Sequence, residues 1–138
     1  MANWEHFPHG ADVGIRGVGQ DKQEAFEQAA KALTAVVIDP ALIAARQRVE
    51  ILCSAPDIES LLVDWLNTII YEMATRRMVF GRYEAKITGQ LLLGAAWGEI
   101  IDAVRHELTV EVKGATFTEL KVAPRADGRW IAQCVVDV

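Results

Sequence analysis

Apolar residues recur in this chain with two periods, and the switches between them mark the elements. Residues 12–18 alternate: Val13 and Ile15 fall on one face of a strand, and Asp12, Gly14 and Arg16 on the other. Phe7-Pro8 just before them forces an extended or turn-like approach. From Asp21 the period lengthens. Phe26, Ala29, Ala30, Leu33 and Val37 make one helical stripe, Asp21 offers an N-cap with Glu24 three residues on, and Asp39-Pro40 stops the run. Residues 42–46 are ambiguous between a short helical turn and coil. Residues 47–55 alternate again, with Val49 and Ile51 on one face. Pro56-Asp57 then opens the longest helix, predicted over 58–76. Its buried stripe is Leu61, Leu62, Trp65, Ile69 and Met73, while Asp64, Asn67 and Glu72 lie off it and are expected in solvent. Arg76 and Arg77 suit the negative end of that helix's dipole.

Beyond Arg77 only strand-like periods remain. Runs at 78–88 and 91–97 flank Gly89-Gln90 and predict a hairpin. Residues 98–107 are polar enough to predict a loop holding Glu99, Asp102, Arg105 and His106. Residues 108–117 alternate, which predicts a strand with Leu108, Val110 and Val112 on one side and Thr109, Glu111 and Lys113 on the other. A short strand at 119–122 and a turn at 124–129 around Asp127-Gly128 follow. The last strand, 130–138, is apolar apart from Gln133 and Asp137, so it belongs at a sheet's centre or under cover on both faces. Strand, helix, strand, helix, then a run of strands predicts a two-layer α+β sandwich, with two helices packed on one face of a mainly antiparallel sheet.

Composition narrows the class. A chain of 138 residues, 51% of them hydrophobic, can bury its own core and predicts a single domain over residues 1–138. No apolar run approaches the ~20 residues of a membrane helix, and Met1-Ala2-Asn3-Trp4-Glu5-His6 has neither the basic region nor the apolar stretch of a signal peptide. The expectation is a cytoplasmic protein without a membrane partner. A net charge of −5 gives no general attraction to phosphate backbones, and no basic patch interleaved with aromatics marks direct sequence-specific nucleic-acid binding. Cys53 and Cys134 both sit in apolar runs and read as buried free thiols.

No phosphate-binding loop and no Gly-x-Ser-x-Gly elbow is present. Unusual chemistry lies at the two ends of the chain. Asp12 opens the first strand, flanked by glycines that let backbone or ligand come close, although Asp and Gly also start strands simply because they turn. Asp137 closes an apolar strand beside Val138. Asp12, Asp137 and the Val138 carboxylate offer hard oxygens suited to calcium or magnesium, if the fold brings them together; frayed exposed ends are the other explanation. Lys113 is either half of a solvated cross-strand pair with Glu111 or a cation fixed for a phosphate or a partner's carboxylate. His9 and His106 are structural hydrogen-bonders or, with Asp12, the elements of a metal-dependent hydrolase. A small-molecule pocket between helices and sheet is a third possibility.

Six segments in register bear on this choice: His9-Gly10-Ala11-Asp12-Val13-Gly14; Glu24-Ala25-Phe26-Glu27-Gln28-Ala29-Ala30; Leu61-Leu62-Val63-Asp64-Trp65-Leu66-Asn67; Gly98-Glu99 with Arg105-His106; Glu111-Val112-Lys113-Gly114-Ala115-Thr116; and Trp130-Ile131-Ala132-Gln133 with Asp137-Val138. Together they resemble the archease family, small proteins that assist the RtcB-type RNA-splicing ligase. The resemblance covers nearly the whole chain. Gly10, Gly114 and Phe117-Thr118 depart from the family pattern, which has Thr, Ala and Tyr-His there. It implies an accessory protein rather than an enzyme, one that promotes guanylylation of the ligase and multiple turnover in tRNA splicing or RNA repair. It also implies a divalent cation, calcium, on Asp12, Asp137 and Val138, and a role toward the ligase for Lys113, His9, Arg105 and His106. The implied fold is built from duplicated strand-helix-strand-strand units.

Overall fold

The structure, a computed structural model, describes residues 2–138. Two helices pack on antiparallel sheets, and the strands divide between two sheets rather than forming one. The first sheet holds β1 (Asn3–His9), β2 (Asp12–Gly19), β6 (Gly114–Ala115), β7 (Lys121–Pro124) and β8 (Trp130–Asp137). Its order is β1-β2-β8-β6, and β7 pairs with β8 as well. The second sheet is β3 (Gln47–Ser54), β5 (Leu91–Ile100) and β4 (Met78–Thr88), in that order. The two helices are α1 (Lys22–Val37) and α2 (Ile58–Arg76). The strand-helix-strand-strand unit β3-α2-β4-β5 is contiguous and sits between the two halves of another, β2-α1 and β7-β8.

Local chemistry accounts for both helix starts. Asp21 accepts a hydrogen bond from the Glu24 amide at 2.8 Å, and Glu24 reaches back to accept from the Gln20 amide at 2.8 Å. Asp57 accepts from the Ser60 amide at 2.7 Å. Asp39 caps a single 3-10 turn, Pro40–Leu42, and of the ambiguous residues 42–46 only Leu42 belongs to it, the rest being coil. At Gly17 an added Cβ would run into the backbone of Ala25 and Ala29, so this residue lets α1 lie directly on β2. Trp65 is fully buried at the centre of the core and donates its indole N–H to the Phe26 carbonyl at 3.0 Å, tying α2 to α1.

Three expectations change. Residues 3–9 form β1, an edge strand that tolerates Pro8 because only one side is paired. β5 continues to Ile100, so Gly98 and Glu99 belong to a strand and the irregular segment begins at 101. Residues 108–113 form no strand: pairing on β8 starts only at Gly114, after a strap that crosses the ends of both helices. Of its alternating apolar residues the strap buries only Val112, and Leu108 and Val110 stay exposed along the groove beside the helix ends. Its polar backbone is satisfied elsewhere, with Thr109 donating through its amide and hydroxyl to the Val36 and Val37 carbonyls that end α1. Among the described residues no helix is long and apolar enough to cross a membrane.

Candidate functional site

The first sheet gathers polar residues at one end. The β1–β2 hairpin turns at Gly10, whose φ of +59° suits glycine, and its last pair is His9 with Asp12. Across from β2, Val13 pairs with Val136, so Asp12 stands beside Asp137 one step further on. On β8's other side Gly114 pairs with Asp137. His9, Asp12, Asp137 and Gly114 thus form one row across four strands, although they come from both ends of the chain. Asp12 is half-buried, and its Oδ1 accepts from the Val138 amide at 3.4 Å. Asp137 is exposed, and its carbonyl accepts from the Lys113 amide at 2.8 Å. The strap therefore delivers Lys113, exposed, to the end of the row.

Asp12, Asp137 and Lys113 have no ion-pair partner among the described residues. A cation placed beside carboxylates that lack a counter-charge is attracted to both. The donor set is all oxygen, which fits a hard divalent ion. Among the described residues no three His, Cys, Asp or Glu side chains are grouped to hold a metal. The same fact means that Asp12, His9 and His106 do not assemble as a hydrolase would need.

Arg105 and His106 belong to a second cluster, around Glu99 near the end of β5. Glu99 is 2% exposed and accepts from the Ala44 amide at 2.8 Å, from Arg46 Nε at 3.3 Å, from His106 Nε2 at 3.1 Å and from Arg105. The Ala44 amide, helped by Arg105 and His106, holds its carboxyl at about 2 against burial acting the other way. His106 Nδ1 accepts from the Asp102 amide at 2.8 Å, which places the ring proton on Nε2, facing Glu99. His106 is 3% exposed, so it supports the strap from inside; Arg105 keeps an exposed flank.

Asn67 is exposed, as its place off the α2 stripe predicts, and it also binds the Ala115 backbone through both ends of its amide, while Glu99 lies in β5 rather than in the expected loop. A glutamate inside an apolar run, followed by Arg and His, was the available sign for Glu99; nothing local marked Asn67. Both cysteines are buried and free, and burial pushes the Cys134 thiol up to about 12. A groove of about 760 Å³ runs between the helix ends and the strap, lined in part by Leu33, Val37, Met73, Leu108 and Val110.

Fold and site together define a small two-layer α+β protein that presents an acidic sheet end beside a strap-borne lysine. The Archease protein family (MTH1598/TM1083) matches residues 4–138. Protein archease of Pyrococcus furiosus is 39% identical over 142 residues, covering 100% of both chains. That of Methanosarcina barkeri is 35% identical over 145 residues, covering 98% of this chain and 95% of its own. The solution structure of Methanobacterium thermoautotrophicum protein 1598 superposes with a TM-score of 0.81 at 31% identity, over 99% of each chain. A Thermotoga maritima archease, described as a possible chaperone, shares the fold at a TM-score of 0.56 and 17% identity, over 97% of this chain and 96% of its own. The chain belongs to the archease family.

Proposed function

We propose that this protein is a cytoplasmic accessory factor of an RtcB-type RNA ligase, promoting guanylylation of the ligase's active-site histidine and repeated turnover on broken RNA. The observation that carries the reading is the convergence of Asp12, Asp137, Val138 and Lys113 at one sheet end in a member of the archease family. A divalent cation, calcium first, would be held by Asp12, Asp137 and the oxygens of Val138. Calcium takes about six to eight oxygens, so water completes this set. When bound, the ion supplies fixed positive charge. Lys113 adds a second cation whose backbone is anchored, and a positioned ammonium stabilises negative charge that develops on a phosphate. His9 flanks the row, Arg105 offers its exposed side to the partner, and His106 keeps the strap's far end in place.

The test is multiple-turnover ligation by a ligase from the same source, with GTP and a divalent metal. With this protein present, product exceeds one per ligase and guanylylation accelerates. Lys113→Ala folds, since exposed substitutions shift stability by about 0.5 kcal/mol or less, and still binds calcium, but fails to accelerate guanylylation. Lys113→Arg restores part of the effect, because the two cations differ in shape and hydration. Calorimetry gives weakened calcium binding for Asp12→Ala and for Asp137→Ala. Turnover and guanylylation that do not respond to the protein would refute the proposal.

A further inference from the structure

β6 is only two residues long, Gly114–Ala115, too short to hold itself on a sheet. Gly114 and Ala115 pair with β8, and Thr116 donates through its amide and its hydroxyl to the Val135 carbonyl, at 3.0 and 2.8 Å. The peptide groups of Ala115 turn the other way, toward α2. There Asn67 Oδ1 accepts from the Ala115 amide at 2.9 Å, and Asn67 Nδ2 donates to the Ala115 carbonyl at 3.5 Å. A side-chain amide presents a donor and an acceptor with the spacing of a peptide group. Asn67 therefore replaces the strand that is missing beside β6. Aspartate would offer only the acceptor, and an apolar residue neither.

From this geometry we infer that Asn67 is a positioning residue for Lys113. The lysine precedes the pinned residue by two positions, and its own amide bonds to the Asp137 carbonyl. Upstream, the strap's next backbone anchor on a helix is Thr109 on α1. Asn67 thus fixes where the strap meets β8, and with it the place of the Lys113 ammonium relative to Asp12, Asp137 and Val138. A helix that carries none of the row's charges sets the row's register. The inference rests on the proposed function, because it assigns a means of placing the lysine that reading uses.

The experiment compares Asn67→Ala, Asn67→Asp, Lys113→Ala and the Asn67→Ala/Lys113→Ala double variant in the full chain. Amide hydrogen exchange reads the pin directly. One lost hydrogen bond corresponds to about a two- to tenfold change in opening. Asn67→Ala accelerates exchange at Ala115 and Lys113 by that amount and leaves Trp65 and Ile69 protected. Stimulation of ligase guanylylation falls toward the Lys113→Ala level, with Asn67→Asp intermediate because it keeps one of the two bonds. Calcium affinity stays at the parent value. The double variant is no worse than Lys113→Ala alone, whereas a general structural defect would add to it. Full stimulation by Asn67→Ala beside a defective Lys113→Ala, or a double variant clearly worse than Lys113→Ala, overturns the inference alone. Full stimulation by Lys113→Ala overturns the function reading and takes the inference with it.

Discussion

Glu99 shows how much one buried carboxylate organises. It joins the segment after the 3-10 turn, through the Ala44 amide, to the beginning of the strap, through Arg105 and His106. Its carboxyl lies at about 2 when folded against an ordinary 4.5, so folding favours the ionised form. The stabilisation is fully present above 4.5 and is lost as pH falls from there toward about 2. Glu99→Gln removes this component. Urea midpoints measured against pH should start lower for the variant at neutral pH, because four donors lose an ionised acceptor, and then fall less steeply than the parent's below 4.5. Parallel curves would mean that Glu99 does not contribute to acid sensitivity. At this scale the sequence was legible where a residue acts on near neighbours, as Asp21, Asp57 and Gly10 do. Asn67 acts on a partner 48 residues away with no local sign, and for Glu99 the nearby Arg105 and His106 were a sign but Ala44, 55 residues away, was not.

Among the elements, α1 does more than cover the core. β4 has β5 on one side only, and its outer edge would leave backbone N–H groups unpaired. α1 supplies acceptors in place of a strand: Glu27 accepts from the Ala85 amide at 2.9 Å and Gln23 from the Ile87 amide at 2.7 Å. Burial raises the Glu27 pKa, the Ala85 amide opposes it, and Glu24, Glu84 and Asp21 add repulsion. A glutamine keeps the acceptor without the charge. Glu27→Gln should therefore raise the melting temperature at neutral pH, and Glu27→Ala should lower it by leaving the Ala85 amide unpaired, at a cost of about 1–3 kcal/mol. A thermal scan giving both variants the same sign would sink this account. The helices and the β4–β5 hairpin were legible because caps, period and turn agreed. The strap differs from the expected strand because alternation reports neither burial, as exposed Leu108 and Val110 show, nor whether a neighbouring strand exists to accept the backbone bonds. β1 escaped notice because Pro8 argues against a strand everywhere except at an edge.

At the scale of the molecule, the site depends on a register that joins the two ends of the chain. Composition and spacing offered Asp12 and Asp137 as separate candidates, and only the pairing of Val13 with Val136 sets them side by side. β1 starts with Asn3 opposite Val18, at the far end of the same hairpin, roughly 20 Å from His9 at strand rise. If the proposed function holds, residues appended after Val138 should weaken calcium binding and ligase stimulation more than the same residues placed before Ala2. Equal effects in a side-by-side assay would show that Val138 is not part of the cation's surroundings.

The place of β8 also imposes an order in time. The second sheet and α2 lie within residues 47–100, so a chain emerging from the ribosome can assemble them from near neighbours. The first sheet cannot close then, because its central member, β8, is made after β2, β6 and β7, the strands it pairs with. Until it docks, β2 carries an open edge and the newborn chain is exposed to pairing with other chains. Asp12 and Asp137 meet only when β8 docks on β2, so the completed row marks a molecule whose first sheet has already closed.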